Sequence, residues 1–168
     1  MAIKVVVTGL GTVNPVGLGT DETWSGLLAG QSGIGPIQAF DPDEWGIQTK
    51  IAGEVTRFDP EQWLDRKEAR RLDRFGQMAV AAAMEAVEHA HLTLEGDTRY
   101  EVGSSIASGV GGLATVIEQS DTLREKGARR VSPFTVPMMM SNAAAGLVSI
   151  HLNCWGPSFA TASACASA

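Results

Sequence analysis

Ile3 to Thr8 (IKVVVT) is β-branched at every position but Lys4 and stops at Gly9-Leu10-Gly11. A run that does not alternate with polar residues fits a strand covered on both faces, and the glycines predict a sharp turn after it. A second run, Val102 to Ala107, stops at Ser108-Gly109-Val110-Gly111-Gly112 and predicts a buried strand turning into a helix near Leu113 to Lys126. Two buried strands with helical segments between them confine the chain to a layered α/β architecture.

The intervening stretches fill in the layers. Thr20 is placed to cap a helix over Asp21 to Ala29, with Trp24, Leu27 and Leu28 inward and Gly30 ending it. Residues 31–60, rich in Gly, Pro and Asp, read as a long connection broken by a short strand at Ile51 to Val55. A basic helical stretch covers Glu61 to Leu72. Asp73 then caps a helix over Arg74 to His89, where Phe75, Met78, Ala79, Ala82, Ala83 and Ala86 recur at helical spacing. So many alanines on one face imply close packing. Pro133 and Pro137 argue for extended chain from Ser132 to Pro137. Ser141 or Asn142 starts a small-residue helix running to about Leu152. Gly156-Pro157 turns the chain into a last strand, Ser158 to Ala162.

The chain's 168 residues suit one domain, and 44% apolar with 19% charged residues is the composition of a globular protein. A net charge of -6 argues against general nucleic-acid binding. No apolar run is long enough to cross a membrane, and the first residues lack a signal-peptide cleavage pattern, so a cytoplasmic protein is expected. Cys154 and Cys165 make no disulfide framework. Neither they nor His89, His91 and His151 have metal-ligand spacing, so no metal site is expected. Gly9-Leu10-Gly11 is not a dinucleotide fingerprint, because Asn14 stands where the third glycine belongs. The Gly109 loop lacks the Lys and Ser/Thr of a phosphate-binding loop.

The chemistry concentrates in GPSFATASACASA, Gly156 to Ala168. A strand leads into Cys165, which is flanked only by Ala and Ser. Small neighbours suit a nucleophile on a sharp turn, and a following helix would point its N-terminal N–H groups at the sulfur and favour thiolate. On composition alone, a lone cysteine among small residues is more often a buried core residue.

The run Thr161-Ala162-Ser163-Ala164-Cys165-Ala166-Ser167 resembles the active-site stretch of β-ketoacyl synthases, with Gly156-Pro157-Ser158 at that family's usual distance upstream. Val5 to Gly11 with Pro15-Val16-Gly17 is similar to the family's opening strand and turn. Trp24 with Leu28 to Ile34 is similar to its first helix and exit. Arg70 to Phe75, Ser108 to Leu113, and Ser132-Pro133-Phe134 with Pro137, Asn142 and Gly146 follow in the family's order across essentially the whole chain. The pattern is nearest to the type II-like elongating branch. Two departures stand out: the family's glycine after the Ala-Ser pair is replaced, or cut off, at Ala168, and the family's two catalytic histidines and lysine belong to a second half that this chain lacks.

The resemblance implies a thiolase-like fold of two related α/β halves, each with a mixed five-stranded sheet. This chain would be the N-terminal half, residues 1–168, ending just after its nucleophile. It implies a 3-oxoacyl-[acyl-carrier-protein] synthase of fatty acid elongation. Cys165 takes the acyl chain, with its backbone N–H in the oxyanion hole, and condenses it with malonyl-carrier protein by decarboxylation. Val110, Phe134 and Thr135 are the expected acyl-pocket residues. Lys67, Arg70, Arg71, Arg129 and Arg130 are the expected docking residues for an acidic acyl carrier protein. No cofactor is implied, and a homodimer is expected through Ser132 to Cys165. The fragment alone is expected to be inactive. A ketosynthase of polyketide synthesis, or a non-catalytic truncated product, are the alternatives. A thiolase or a chain-initiating synthase would share the fold, but not the Gly109 to Leu113 and Ser132 to Pro137 stretches together.

Overall fold

A computed structural model describes residues 3–167. Helix α1 (Thr20–Leu28) is followed by strands β1 (Gly35–Pro36) and β2 (Ile51–Ala52), then helices α2 (Arg66–Ala69), α3 (Arg74–His89) and α4 (Thr98–Glu101). Strand β3 (Ser104–Ser105), helices α5 (Leu113–Lys126), α6 (Thr135–Met139) and α7 (Ala143–Leu152), and strand β4 (Ser158–Phe159) complete the order.

The centre is α3 packed on α7. Val80 is fully buried and clusters with Leu64, Ala69, Leu72 and Val148, with Ala79, Ala83, Ile106 and Leu147 around them. The caps explain why α3 starts where it does. Asp73 Oδ1 accepts from the Phe75 N–H at 3.3 Å, while Oδ2 accepts from the Thr115 N–H and hydroxyl at 3.1 and 2.6 Å. One buried carboxylate therefore caps α3 and ties it to the first turn of α5. The predicted alanine face is half-buried, and the residues fully enclosed are Gly76, Val80 and Ala81, which lie toward α7. Close packing does occur on the alanine face: a Cβ added at Gly11 would lie 1.9 Å from the Ala82 carbonyl oxygen.

Three expectations on the opening segment fail. Ile3 to Thr8 forms no strand, and Val5 is 92% exposed. A strand persists only when a neighbour takes its backbone hydrogen bonds, and among the described residues none lies beside this run. Thr20 does not cap α1. Gly19 is the N-cap without a side-chain bond, and the Thr20 N–H is taken by Glu85 Oε1 of α3 at 2.6 Å. Nor do Trp24, Leu27 and Leu28 face inward: Trp24 is 61% exposed and Leu28 71%. Gly26 is the residue α1 buries, because that side of the helix meets Val16.

The expected five-stranded sheet is likewise not formed among the described residues. β1 pairs antiparallel with β2, and β3 pairs parallel with β4, Ser104 opposite Ser158. The parallel contact runs further than those two residues. The N–H groups of Ser104, Ile106 and Ser108 donate to the carbonyls of Pro157, Phe159 and Thr161. Buried Ser104 also joins this ladder to α7, donating to the Ala145 carbonyl at 2.9 Å.

The Ser132 to Pro137 stretch was expected extended and instead enters α6, with Pro137 its third residue. The first turn of a helix has no intrahelical acceptor for its N–H groups, so a proline there removes nothing.

Candidate active site

Cys165 sits at the centre of a single turn, Ala164–Ala166, and its side chain is exposed. The turn is braced by its own small polar residues. Ser167 Oγ accepts from the Ser163 N–H at 2.7 Å and donates to the Ala164 carbonyl at 2.7 Å, and Thr161 Oγ1 donates to the Ser167 carbonyl at 2.9 Å. Ala164 has φ of 49°, a left-handed conformation that costs an alanine energy and is held by these bonds. The Ala166 and Ser167 N–H groups are spent within the turn; among the described residues nothing accepts from the Cys165 N–H. The helix expected after the cysteine, and Ala168, lie outside the described residues.

The Gly109-Val110 loop reaches this turn. A Cβ added at Gly109 would rest 3.6 Å from the Ala164 carbonyl, and Val110 is 65% exposed beside it. The same loop rests on α6: the Gly112 N–H donates to the Met139 carbonyl at 3.1 Å. Gly111 has φ of 80°, and a Cβ there would lie 2.7 Å from that carbonyl. Cys165, Val110 and the α6 segment that starts at Thr135 are thus linked through one glycine loop. Thr135 is half-buried, its hydroxyl donating to the Ser132 carbonyl at 2.6 Å. Phe134 points elsewhere. It lines a cavity of about 450 Å³ with Lys67, Arg71, Pro137, Met138 and Leu147, whose lining includes neither Cys165 nor Val110.

Five of the 13 Lys and Arg residues fall in Arg66 to Arg74 and four in Arg124 to Arg130. The Arg71 guanidinium lies 4.8 Å from the centre of the Phe134 ring, so the first cluster meets the segment just after the second. Arg129 and Arg130 end the short turn Ala128–Arg130 and are exposed. Among the described residues Lys67, Arg70, Arg71, Arg129 and Arg130 form no ion pair, whereas Arg66 meets Glu61 at 3.6 Å.

Cys154 contrasts with Cys165. It is buried, and burial pushes its thiol up, away from thiolate. Two polar positions escaped the sequence reading. Glu85 anchors the opening loop, and its only signal was an acid on the half-apolar face of α3. His151, on α7, approaches Glu68 of α2 at 3.0 Å; residues 83 apart in the chain offer no pattern to find. The described residues contain no group of three or more His, Cys, Asp and Glu that could hold a metal ion, and no helix long and apolar enough to cross a membrane.

The family described as "Beta-ketoacyl synthase, N-terminal domain" matches residues 2–168. The 3-oxoacyl-[acyl-carrier-protein] synthase 2 of Synechocystis sp. is 44% identical over 163 residues, 97% of this chain and 39% of that protein. The enzyme of the same name from Staphylococcus aureus strain MRSA252 is 44% identical over 164 residues, 98% of this chain and 39% of its own. The chain therefore spans about two-fifths of these relatives. Among solved structures, the ishigamide ketosynthase/chain length factor superposes with a TM-score of 0.77 at 27% identity, covering 94% of this chain and 39% of that one. The fold, mixed helix and strand, is that of the ketosynthases. The order of elements, the turn that displays Cys165 and the match over nearly every residue agree: this chain belongs to the β-ketoacyl synthase family and carries its N-terminal domain.

Proposed function

We propose that the chain is the nucleophile-bearing half of a 3-oxoacyl-[acyl-carrier-protein] synthase, residues 1–168 forming its N-terminal domain. The observation that carries this reading is the exposed Cys165 on a self-braced turn, with no acceptor for its own N–H among the described residues. The sulfur attacks the thioester carbonyl of an acyl-carrier, and the carrier thiol leaves, so the acyl group is held on Cys165. Malonyl-carrier then loses CO2, and the electron pair released attacks the acyl carbonyl, expelling the Cys165 thiolate. In both steps the negative oxygen accepts from the Cys165 N–H, a fixed donor that needs no reorganisation. The relatives' names support the substrate class. The residues that assist decarboxylation and complete the oxyanion hole belong to sequence beyond this chain, so the chain alone is inactive in condensation.

In this reading Val110 lines the acyl pocket beside Cys165, with Thr135 and Phe134 on the adjoining segment. The link through Gly109 and Gly111 supports Val110 and Thr135; Phe134 has the weaker support, since its ring faces a separate cavity. Lys67, Arg70, Arg71, Arg129 and Arg130 dock the acidic carrier, supported by their lack of ion pairs. The run Ile3 to Thr8 joins β3 and β4 in the five-stranded sheet of the longer protein. That protein is a homodimer paired through β4, where Phe159 is exposed, and Met139 and Met140 of the segment before α7 are exposed as well. Ala144 and Ala145 are buried within the chain's own core and do not serve the interface.

Mass spectrometry of the full-length enzyme after incubation with an acyl thioester tests the nucleophile. An acyl adduct on Cys165 is expected, and an adduct on Cys154 alone would overturn the assignment. Polyketide synthesis uses the same condensation, differs in the later processing of the chain, and is the second reading. Turnover of simple saturated acyl-carriers separates the two.

A further inference from the structure

The stretch Glu61 to Arg74 holds five basic and four acidic residues, so by sequence it is nearly neutral and a poor lure for an acidic partner. Folding changes that balance. Glu61 pairs with Arg66 at 3.6 Å. Asp65 caps α2, accepting from the Lys67 and Glu68 N–H groups at 2.8 and 3.0 Å. Asp73 caps α3 and holds Thr115. Glu68 remains, in the middle of Lys67, Arg70 and Arg71, and its partner comes from farther along the chain than Asp73's. His151 Nε2 lies 3.0 Å from Glu68 Oε1, on a side chain only 15% exposed. That nitrogen is out of solvent and has no aligned hydrogen-bond partner among the described residues. A contact this short is favourable only if Nε2 carries a proton, as it does in one neutral tautomer and in the imidazolium. Glu68 is then the group that can answer this N–H, and the carboxylate is held toward α7.

We propose that His151 is a positioning residue for carrier docking: it draws the Glu68 carboxylate out of the basic turn, so Lys67, Arg70 and Arg71 meet an acidic partner unopposed. The inference rests on the docking reading above. Like charges left facing a partner cost affinity, while an exposed pair is worth little. His151 adds no contact to the partner; it removes a repulsive one.

The test uses the full-length enzyme with carrier-bound substrate and with a small thioester mimic. His151→Leu is expected to raise KM for the carrier-bound substrate about two- to fivefold, the range an exposed charge contributes, with kcat unchanged. KM for the mimic stays at the wild-type value. Adding Glu68→Gln to His151→Leu is expected to return KM close to wild type, which a purely structural role would not do. Glu68→Gln alone, which leaves α2 capped, is expected to bind the carrier at least as well as wild type. Equal losses with both substrates and no rescue by Glu68→Gln would overturn the inference. So would an unchanged carrier KM in His151→Leu while Arg70→Glu still raises it, and that outcome keeps the docking reading. An Arg70→Glu variant with unaltered carrier KM overturns the docking reading itself.

Discussion

Glu85 offers the sharpest test of how this fold is held. Its carboxylate takes the Thr12 N–H at 2.9 Å and the Thr20 N–H at 2.6 Å, and one turn further on His89 Nδ1 accepts from the Leu10 N–H at 3.1 Å. A single residue of α3 thus supplies the missing cap of α1 and pins the loop before it. Burial by itself would push the Glu85 carboxyl up. The backbone N–H groups of Thr20 and Thr12 and the Thr20 hydroxyl outweigh it, and the group sits below its ordinary value. Glu85→Gln keeps the shape but loses the charge, and its amide nitrogen must face one of the two N–H donors. Hydrogen bonds to charged groups are worth about 1.5–3 kcal/mol, and this half-buried site belongs at the lower end, about 1.5 kcal/mol. That is about a tenfold loss of local protection. Hydrogen exchange on the full-length protein should show the Thr12 and Thr20 amides exchanging about tenfold faster in Glu85→Gln at neutral pH. Because the folded carboxyl is the stronger acid, its contribution is complete above the unfolded value, about 4.3. It is lost as pH falls through the lower folded value. The gap between wild type and Glu85→Gln should therefore close in acid. Equal protection at neutral pH, or a gap that survives in acid, would refute the reasoning.

Asp73→Ala removes a helix cap and strands the buried Thr115 donors, so a loss of about 2–4 kcal/mol is expected in denaturant titration. Thr115→Val should cost about 1–2 kcal/mol, since it spares the cap. Gly11→Ala would set a methyl 1.9 Å from the Ala82 carbonyl oxygen; the loop must lift from α3, and thermal unfolding should show a loss of about 1–3 kcal/mol. Under brief alkylation at neutral pH, Cys165 should be modified and Cys154, buried and with its thiol pushed up, should remain free; peptide mapping reads the result.

What was legible in the sequence was local. The Asp73 cap and the bounds of α3, the bounds of α5, the start of α7 and the turn at Gly156-Pro157 each depend on a few neighbouring residues, and all appear where the pattern puts them. The failures depend on what lies across a surface. Ile3 to Thr8 and the Trp24, Leu27, Leu28 side of α1 have the composition of buried elements, and among the described residues nothing covers them. Pro137 misled for another reason: a proline forbids the interior of a helix but not its first turn, and the sequence does not say which turn it will occupy.

The candidate site divides along the same line. Cys165 was singled out by the resemblance of the run around it to a family stretch; what its neighbours themselves explain is the turn, since small residues allow it and Ser163, Ser167 and Thr161 lie close enough in the chain to brace it. The basic clusters were visible as composition, but composition could not say whether their own acids would cancel them. That depended on four carboxylates finding partners elsewhere. Glu61 and Asp65 found theirs within a few residues, where a capping rule reaches. Asp73 found Thr115, 42 residues on, and Glu68 found His151. The charge that the stretch Glu61 to Arg74 presents is therefore a property of the tertiary fold, even though every charged residue in it is local in sequence. Substitutions on α5 or α7, away from any basic residue, can change its charge as effectively as substitutions within it.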